Sequence, residues 1–233
     1  MNVGEAFSWA WNKFSKNAAP LIVATLIYGV VVGVLEGIIY TLALLLAPAP
    51  VSYYDSSGSG FSASYSAGFG FASFAVLALG GLVVFVVGGA IQSAYLGALL
   101  DIANGEQVAI GSFFKPRNVG SVLLGSLIVG VLVLIGYLLC LLPGVAVAIF
   151  TIFTTIFIVE RNLAPIDAIK ASIDLVKANF VQVLLACLIV GAITTVGWVV
   201  CLIGLIVAAP VAALYFVYTY RKLTGGQIAP LTP

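Results

Sequence analysis

The 42 residues between Arg117 and Glu160 contain no charged side chain, and no other feature of the sequence constrains the fold as strongly. A single helix of that length would extend about 63 Å at about 1.5 Å per residue, roughly twice the ~30 Å hydrocarbon thickness of a bilayer. The run therefore predicts a membrane hairpin over 118–159, turning near Leu142, Pro143 and Gly144. A second uncharged stretch, bounded by Lys177 and Arg221, predicts another hairpin over 179–220 that turns near Cys201 to Gly204. The first hairpin is split by PAPVSYYDSSGSGFSASYSAGFG, residues 48–70, whose Pro, Ser and Gly content marks a flexible loop. One span precedes that loop, about 20–46, and one follows it, about 71–99.

The expectation is an all-α membrane protein of six transmembrane helices forming a single polytopic domain over 1–233. Composition agrees, since 63% of residues are hydrophobic and 7% charged, against about a quarter charged in soluble domains. The net charge of +1 points neither to nucleic acid nor to an acidic partner. The first apolar run begins near Pro20, is too long for a signal-peptide core and lacks a small-residue cleavage site, so the amino terminus is expected to be retained.

Charge sets the orientation. All nine Lys and Arg residues (Lys13, Lys16, Lys115, Arg117, Arg161, Lys170, Lys177, Arg221 and Lys222) fall on one side of the six-span arrangement. Positive charge in short loops marks the cytoplasmic face, which predicts cytoplasmic termini, an external 48–70 loop and a place in the bacterial plasma (inner) membrane. Membrane lipids and other membrane protein subunits are the expected partners.

The spans also repeat. VLLGSLIVGVLVLIGYLLCL, residues 122–141, aligns without gaps on VLLACLIVGAITTVGWVVCL, residues 183–202, and the first span joins more weakly through Asn17, Asn118 and Asn179. Three hairpins in one orientation imply pseudo-symmetry about the membrane normal. Each is expected to follow a cytoplasmic interfacial helix. In 1–17, Val3, Phe7, Trp11 and Phe14 recur at helical spacing; in 164–177, Ile166, Ile169, Ile173 and Val176 form an apolar stripe opposite Asp167, Lys170, Asp174 and Lys177. That polar face is either a docking site for a cytoplasmic partner or a solvated anchor, and the anchor is favoured.

The lead AFSWAWNKFSKNAAPLI, the DIANG end of the second span and AIKASIDLVKANF together resemble a broad bacterial family of six-helix membrane proteins. That family includes the membrane domain attached to some glycerophosphodiester phosphodiesterases and the actinobacterial proline- and glycine-rich transmembrane proteins. The likeness extends over almost the whole chain and rests mainly on Trp11, Asn17, Asp101, Gly105 and Asn179. Members often carry a Pro/Gly-rich tail or an enzyme domain; this sequence shows neither, so phosphodiesterase activity is not carried over, and the resemblance implies a membrane role with no established catalytic residues to transfer.

Several chemistries are excluded outright. Without histidine the chain cannot supply a Ser-His or Cys-His pair or His-ligated haem. No catalytic, cofactor-binding or metal-ligating set is expected, and the glycines of the 48–70 loop follow no strand and open no phosphate-binding helix. Cys140 and Cys201 occupy equivalent repeat positions at the external turns. They are either a disulfide pair or, with Cys187, small apolar fillers. Thr151, Thr154, Thr155, Thr194 and Thr195 either line a polar path or bond their own backbone, the commoner behaviour in apolar helices.

One carboxylate lies within a span. Glu36 sits in GVVVGVLEGIIY beside Gly29, Gly33 and Gly37, whose spacing of four makes a ridge for close helix approach. Tyr40 is one turn further on, and Gln92 of the second span is a candidate hydrogen-bond partner. Intramembrane carboxylates are costly and are functional-site candidates by default. Counted from Asn17, however, Glu36 lies about 28 Å along the helix, near the external rim, and its repeat equivalents are the interfacial residues Tyr137 and Trp198. The expected function is that of a non-catalytic accessory or scaffolding subunit of a larger membrane assembly, respiratory or envelope-building. The alternative is a small transporter or lipid-handling protein.

Overall fold

Backbone N–H and C=O groups have no water to bond in hydrocarbon, so an apolar chain crosses it as helix. The computed structural model of the chain describes residues 2–48, 51–53, 64–66, 70–199 and 203–231, and it is helical almost throughout. The α-helices are α1 (Val3–Lys16), α2 (Ala18–Leu45), α3 (Phe71–Asn104), α4 (Val119–Leu139), α5 (Leu141–Phe150), α6 (Thr154–Arg161), α7 (Pro165–Ala178), α8 (Phe180–Val199) and α9 (Ile203–Thr224). Among the described residues six segments are long and apolar enough to cross a membrane: α2, α3, α4, the Leu141–Arg161 stretch containing α5 and α6, α8, and Gly204–Thr224 of α9. The all-α expectation holds for the architecture, and the loop before α3 adds one short ladder. Strands β1 (Val51–Tyr53) and β2 (Ser64–Ser66) pair antiparallel, Val51 opposite Ser66 and Tyr53 opposite Ser64.

The chain divides into two compact units, Met1–Tyr28 with Gly88–Pro233, and Gly29–Val87. The core of the larger unit includes Ala6 and Trp9 of α1, Phe153 just before α6, Phe157 of α6, and Tyr215 and Tyr220 of α9. Aromatic pairs set its packing: Phe153 stacks on Phe216 with ring centroids 4.8 Å apart, and Phe157 meets Tyr220 edge-on at 5.1 Å.

The hairpin turns depend on two glycines. A Cβ on Gly136 would stand 2.8 Å from Gly144 Cα, and one on Gly197 would stand 2.7 Å from Ala208 Cβ. Each turn thus brings a returning helix against a bare backbone. The second hairpin turns at Cys140, a little before the expected Leu142–Gly144 position, because Gly144 is used instead as the packing surface for Gly136 and Tyr137.

The returning arm of that hairpin is not one helix. Residues 151–153 break it between α5 and α6, and a break frees backbone groups that must be paired. Ser172 of α7, fully buried, supplies the pairing: its hydroxyl donates to Phe150 O at 2.8 Å and accepts from Phe153 N at 3.1 Å.

The lead-in helices differ from the sequence expectation in three ways. Before the second hairpin there is only a five-residue 3-10 turn, Ile110–Phe114, since Gly105, Gly111 and Pro116 leave no room for a longer helix. In α1 the buried stripe is Ala6, Trp9, Ala10, Lys13 and Phe14, while Phe7 and Trp11 are exposed. In α7 it is Ala168, Ile169, Ser172 and Val176, with Ile166 exposed. Apolar exposure is not penalised beside lipid, so hydropathy alone cannot select the inward face of such a helix; close packing and hydrogen bonding do. The joints α1–α2 and α7–α8 share one geometry. Asn17 Nδ2 donates to Lys13 O at 2.9 Å and Asn179 Nδ2 to Leu175 O at 3.1 Å, and each carbonyl accepts the amide of the residue four further on.

Candidate functional site

In the larger unit, the charged side chains gather where α1, α3, α6 and α9 end. Arg221, 7% exposed, forms a 2.6 Å ion pair with Glu160 that is close but not aligned as a hydrogen bond. Its guanidinium also donates to Asn104 Oδ1 at 2.9 Å and to Gln227 O at 3.0 Å. Arg117 pairs with Asp101 at 2.8 Å on a more exposed flank. Tyr218 donates to Glu5 at 2.9 Å, and Lys222 stands 3.7 Å from the same carboxylate.

The segment after α9 completes this layer. Gly225, with φ +69°, ends the helix in the left-handed region, and Gly226 N bonds back to Arg221 O at 2.8 Å. The chain then folds beneath α1 and the end of α3. Ala229 N donates to Ala103 O at 2.8 Å, Trp9 Nε1 donates to Ala229 O at 2.8 Å, and Lys13 Nζ donates to Pro230 O at 2.7 Å. Lys13 is 4% exposed, and burial pushes its ammonium below the usual lysine range. Beside it a cavity of about 430 Å³ opens between the end of α1, the start of α2 and the segment after α3. Sequence reasoning missed this site, whose only local signal is the crowding of Lys13, Lys16 and Asn17.

The smaller unit holds Glu36, the carboxylate within a candidate span. Glu36 and Tyr40, both exposed, line one groove with Gly33, Gly37 and Ile39 of α2 and Leu77, Gly81 and Val84 of α3. The helix continues nine residues past Glu36, to Leu45, so the carboxylate is flanked by apolar turns on both sides. The glycine ridge is open. A Cβ at Gly29, Gly33 or Gly37 would meet nothing within 4 Å, whereas one at Gly80 would stand 2.8 Å from Ile39 Cδ1. Close approach of α2 and α3 in this unit therefore uses Gly80, and among the described residues of the unit no helix packs on the expected ridge. Gln92, exposed and belonging to the larger unit, is not among the residues lining the groove.

The remaining candidates resolve simply. Cys140 is exposed at the α4–α5 turn and Cys187 is half-buried, while Cys201 lies outside the described residues and its pairing with them. Thr151, Thr194 and Thr195 bond carbonyls one turn earlier at 2.8–2.9 Å, as expected of threonines in apolar helices, whereas the buried Thr154 Oγ1 has no hydrogen-bond partner among the described residues. Among the described residues no group of three His, Cys, Asp or Glu side chains could hold a metal ion.

No family model matches the chain, and no solved structure matches it. It is 37% identical over 227 residues to an uncharacterized protein of Mycobacterium bovis (strain ATCC BAA-935 / AF2122/97), an alignment covering 97% of this chain and 70% of the relative. Uncharacterized proteins of Mycobacterium tuberculosis strains CDC 1551 / Oshkosh and ATCC 25618 / H37Rv align with the same identity and coverage.

Proposed function

This chain belongs to one family with those uncharacterized mycobacterial proteins, and from that premise we propose that it is a non-catalytic scaffolding subunit of a larger assembly in the bacterial plasma membrane. One observation carries the reading: Glu36 and a glycine ridge share a face of the apolar helix α2, and among the described residues of their unit a Cβ at Gly29, Gly33 or Gly37 would meet nothing within 4 Å. In the most apolar windows of α2 and α3 only 11% and 6% of residues are buried, against 56% in the last span. Lipid covers apolar side chains at no cost. It gives neither a hydrogen bond to Glu36 nor the backbone-to-backbone packing that a ridge of glycines offers a second helix. The occupant this face suits is a transmembrane helix of a partner subunit carrying a donor level with Glu36.

The orientation follows from charge. With all nine Lys and Arg residues on the side where the Arg221–Glu160 and Arg117–Asp101 pairs lie, the charged end is cytoplasmic and the Cys140 turn external. The α1–α2 and α7–α8 joints and the equivalent glycines Gly136 and Gly197 support three hairpins repeated in parallel, with α1 and α7 at the interface. Purification from the native membrane followed by cross-linking mass spectrometry tests the reading. The expected result is a defined partner cross-linked near α2 and lost on Gly33→Leu, while a solitary monomer in the native membrane would overturn it.

Lipid handling is the second reading. It draws on an apolar groove of about 460 Å³ between exposed Phe7 and Trp11 of α1 and the facing residues of α8 and α9. Transport or lipid transfer by the purified protein in vesicles, abolished by Val196→Trp, would favour it.

A further inference from the structure

Glu36 stands in a part of the chain that has no cation of its own. Between Lys16 and Lys115 the sequence holds no Lys, Arg or His, and both helices of the groove, α2 and α3, lie inside that interval. From α3 the groove is lined by Leu77, Gly81 and Val84, whose side chains offer a carboxylate nothing to bond. Tyr40 lines it too, yet among the described residues neither a hydrogen bond nor an ion pair reaches Glu36.

Depth makes that isolation costly. Past Glu36, α2 continues for nine residues, about 13 Å of helix. The side chains at that end are apolar and exposed: Leu42, Leu44 and Leu45, with Phe71 and Phe74 where α3 starts. Tyr137, the counterpart of Glu36 in the repeat, stands instead in the last turn of α4. Glu36 thus lies below the rim at which the count from Asn17 puts it, at a level where hydrocarbon supplies no counter-charge, and ionisable groups at such a level pair with one another. A neutral donor on an incoming helix would add one hydrogen bond, a small gain between membrane helices. A cation adds the bond and cancels the charge. A Lys or Arg alone at that depth is costly as well, so each group relieves the other only when the two helices associate. Building on the scaffold role, we propose that the partner helix received by α2 carries a Lys or Arg level with Glu36, and that this ion pair selects the partner. Gly33 and Gly37, which line the groove with Glu36, leave room for a long basic side chain, since a Cβ on either would meet nothing within 4 Å.

The probes are polyleucine transmembrane peptides with one central Lys, Gln or Asp, each carrying an acceptor dye. The full-length protein bears a donor dye on Cys140 in a Cys187→Ser, Cys201→Ser background, and energy transfer is read in phosphatidylcholine vesicles. The Lys peptide is expected to associate at least about tenfold more tightly than the Gln peptide, and Glu36→Gln to abolish that preference. Glu36→Lys is expected to draw the Asp peptide in place of the Lys peptide, a gain that misfolding cannot mimic. Equal association of the Lys and Gln peptides overturns the proposal, as does a Lys preference that survives in Glu36→Gln. The scaffold role fails separately. A native partner cross-linked near α2 whose spans hold no Lys or Arg overturns the ion pair and leaves the scaffold, whereas a solitary monomer in the native membrane overturns the scaffold.

Discussion

Two buried cations differ in how the protein meets their charge. Arg221 is surrounded: Glu160, Asn104 and the Gln227 carbonyl all face its guanidinium. Replacing it by Met would leave Glu160 largely buried without its partner, a change that costs about 3–5 kcal/mol. Arg221→Met is therefore expected to lower the unfolding midpoint in detergent sharply, and Arg221→Lys to lower it less while losing the forked contact to Asn104 and Gln227. Lys13 behaves oppositely. Its folded pKa lies below the usual 10.5, so the unfolded chain binds the proton more tightly. The destabilisation is complete below the folded pKa and fades as pH rises through it toward 10.5. Wild-type stability should therefore increase over that alkaline window relative to Lys13→Met, and parallel pH profiles for the two proteins would refute the assignment. Sequence revealed part of this scale. Glu36 and Tyr40, four apart on a helix, were bound to share a face, but Lys13 acquires its partner from a residue 217 positions away, which no local pattern encodes.

At the scale of elements, the spans were legible because uncharged runs of this length have no other physical solution in a bilayer. The inward faces of α1 and α7 were not, because beside lipid an apolar side chain is equally content outside. Ser172 illustrates the limit: in sequence it is one polar residue in an amphipathic helix, and in the fold it closes the gap between α5 and α6. Ser172→Ala strands Phe153 N–H and Phe150 C=O and is expected to cost about 1–3 kcal/mol, measurable as a lower midpoint without a change of helix content. The glycines divide in the same way. Gly136→Val and Gly197→Val drive a side chain into the facing helix and should destabilise the hairpins by about 1–3 kcal/mol. Gly33→Ala meets open space and should leave stability unchanged. Sequence spacing chose Gly29, Gly33 and Gly37 as the packing set, yet within the chain that role belongs to Gly80, Gly136 and Gly197, whose neighbours come from other helices.

For the whole molecule, the charge distribution predicts a labelling experiment. In a Cys187→Ser, Cys201→Ser background, Cys140 remains as an exposed thiol at the turn opposite the charged end. A membrane-impermeant maleimide should label it from outside intact cells, and labelling confined to inverted vesicles would reverse the proposed orientation. A hydrogen bond between the two ends of the described chain bears on how the molecule is made. Trp9 and Ala229 stand 220 positions apart, so the carbonyls that receive the indole of Trp9 and the ammonium of Lys13 do not exist until the ribosome has passed residue 230. Until then Trp9 Nε1 and Lys13 Nζ lack these two acceptors. Closure of that seam is thus a post-insertion event, timed by the completion of synthesis rather than by the entry of any single helix.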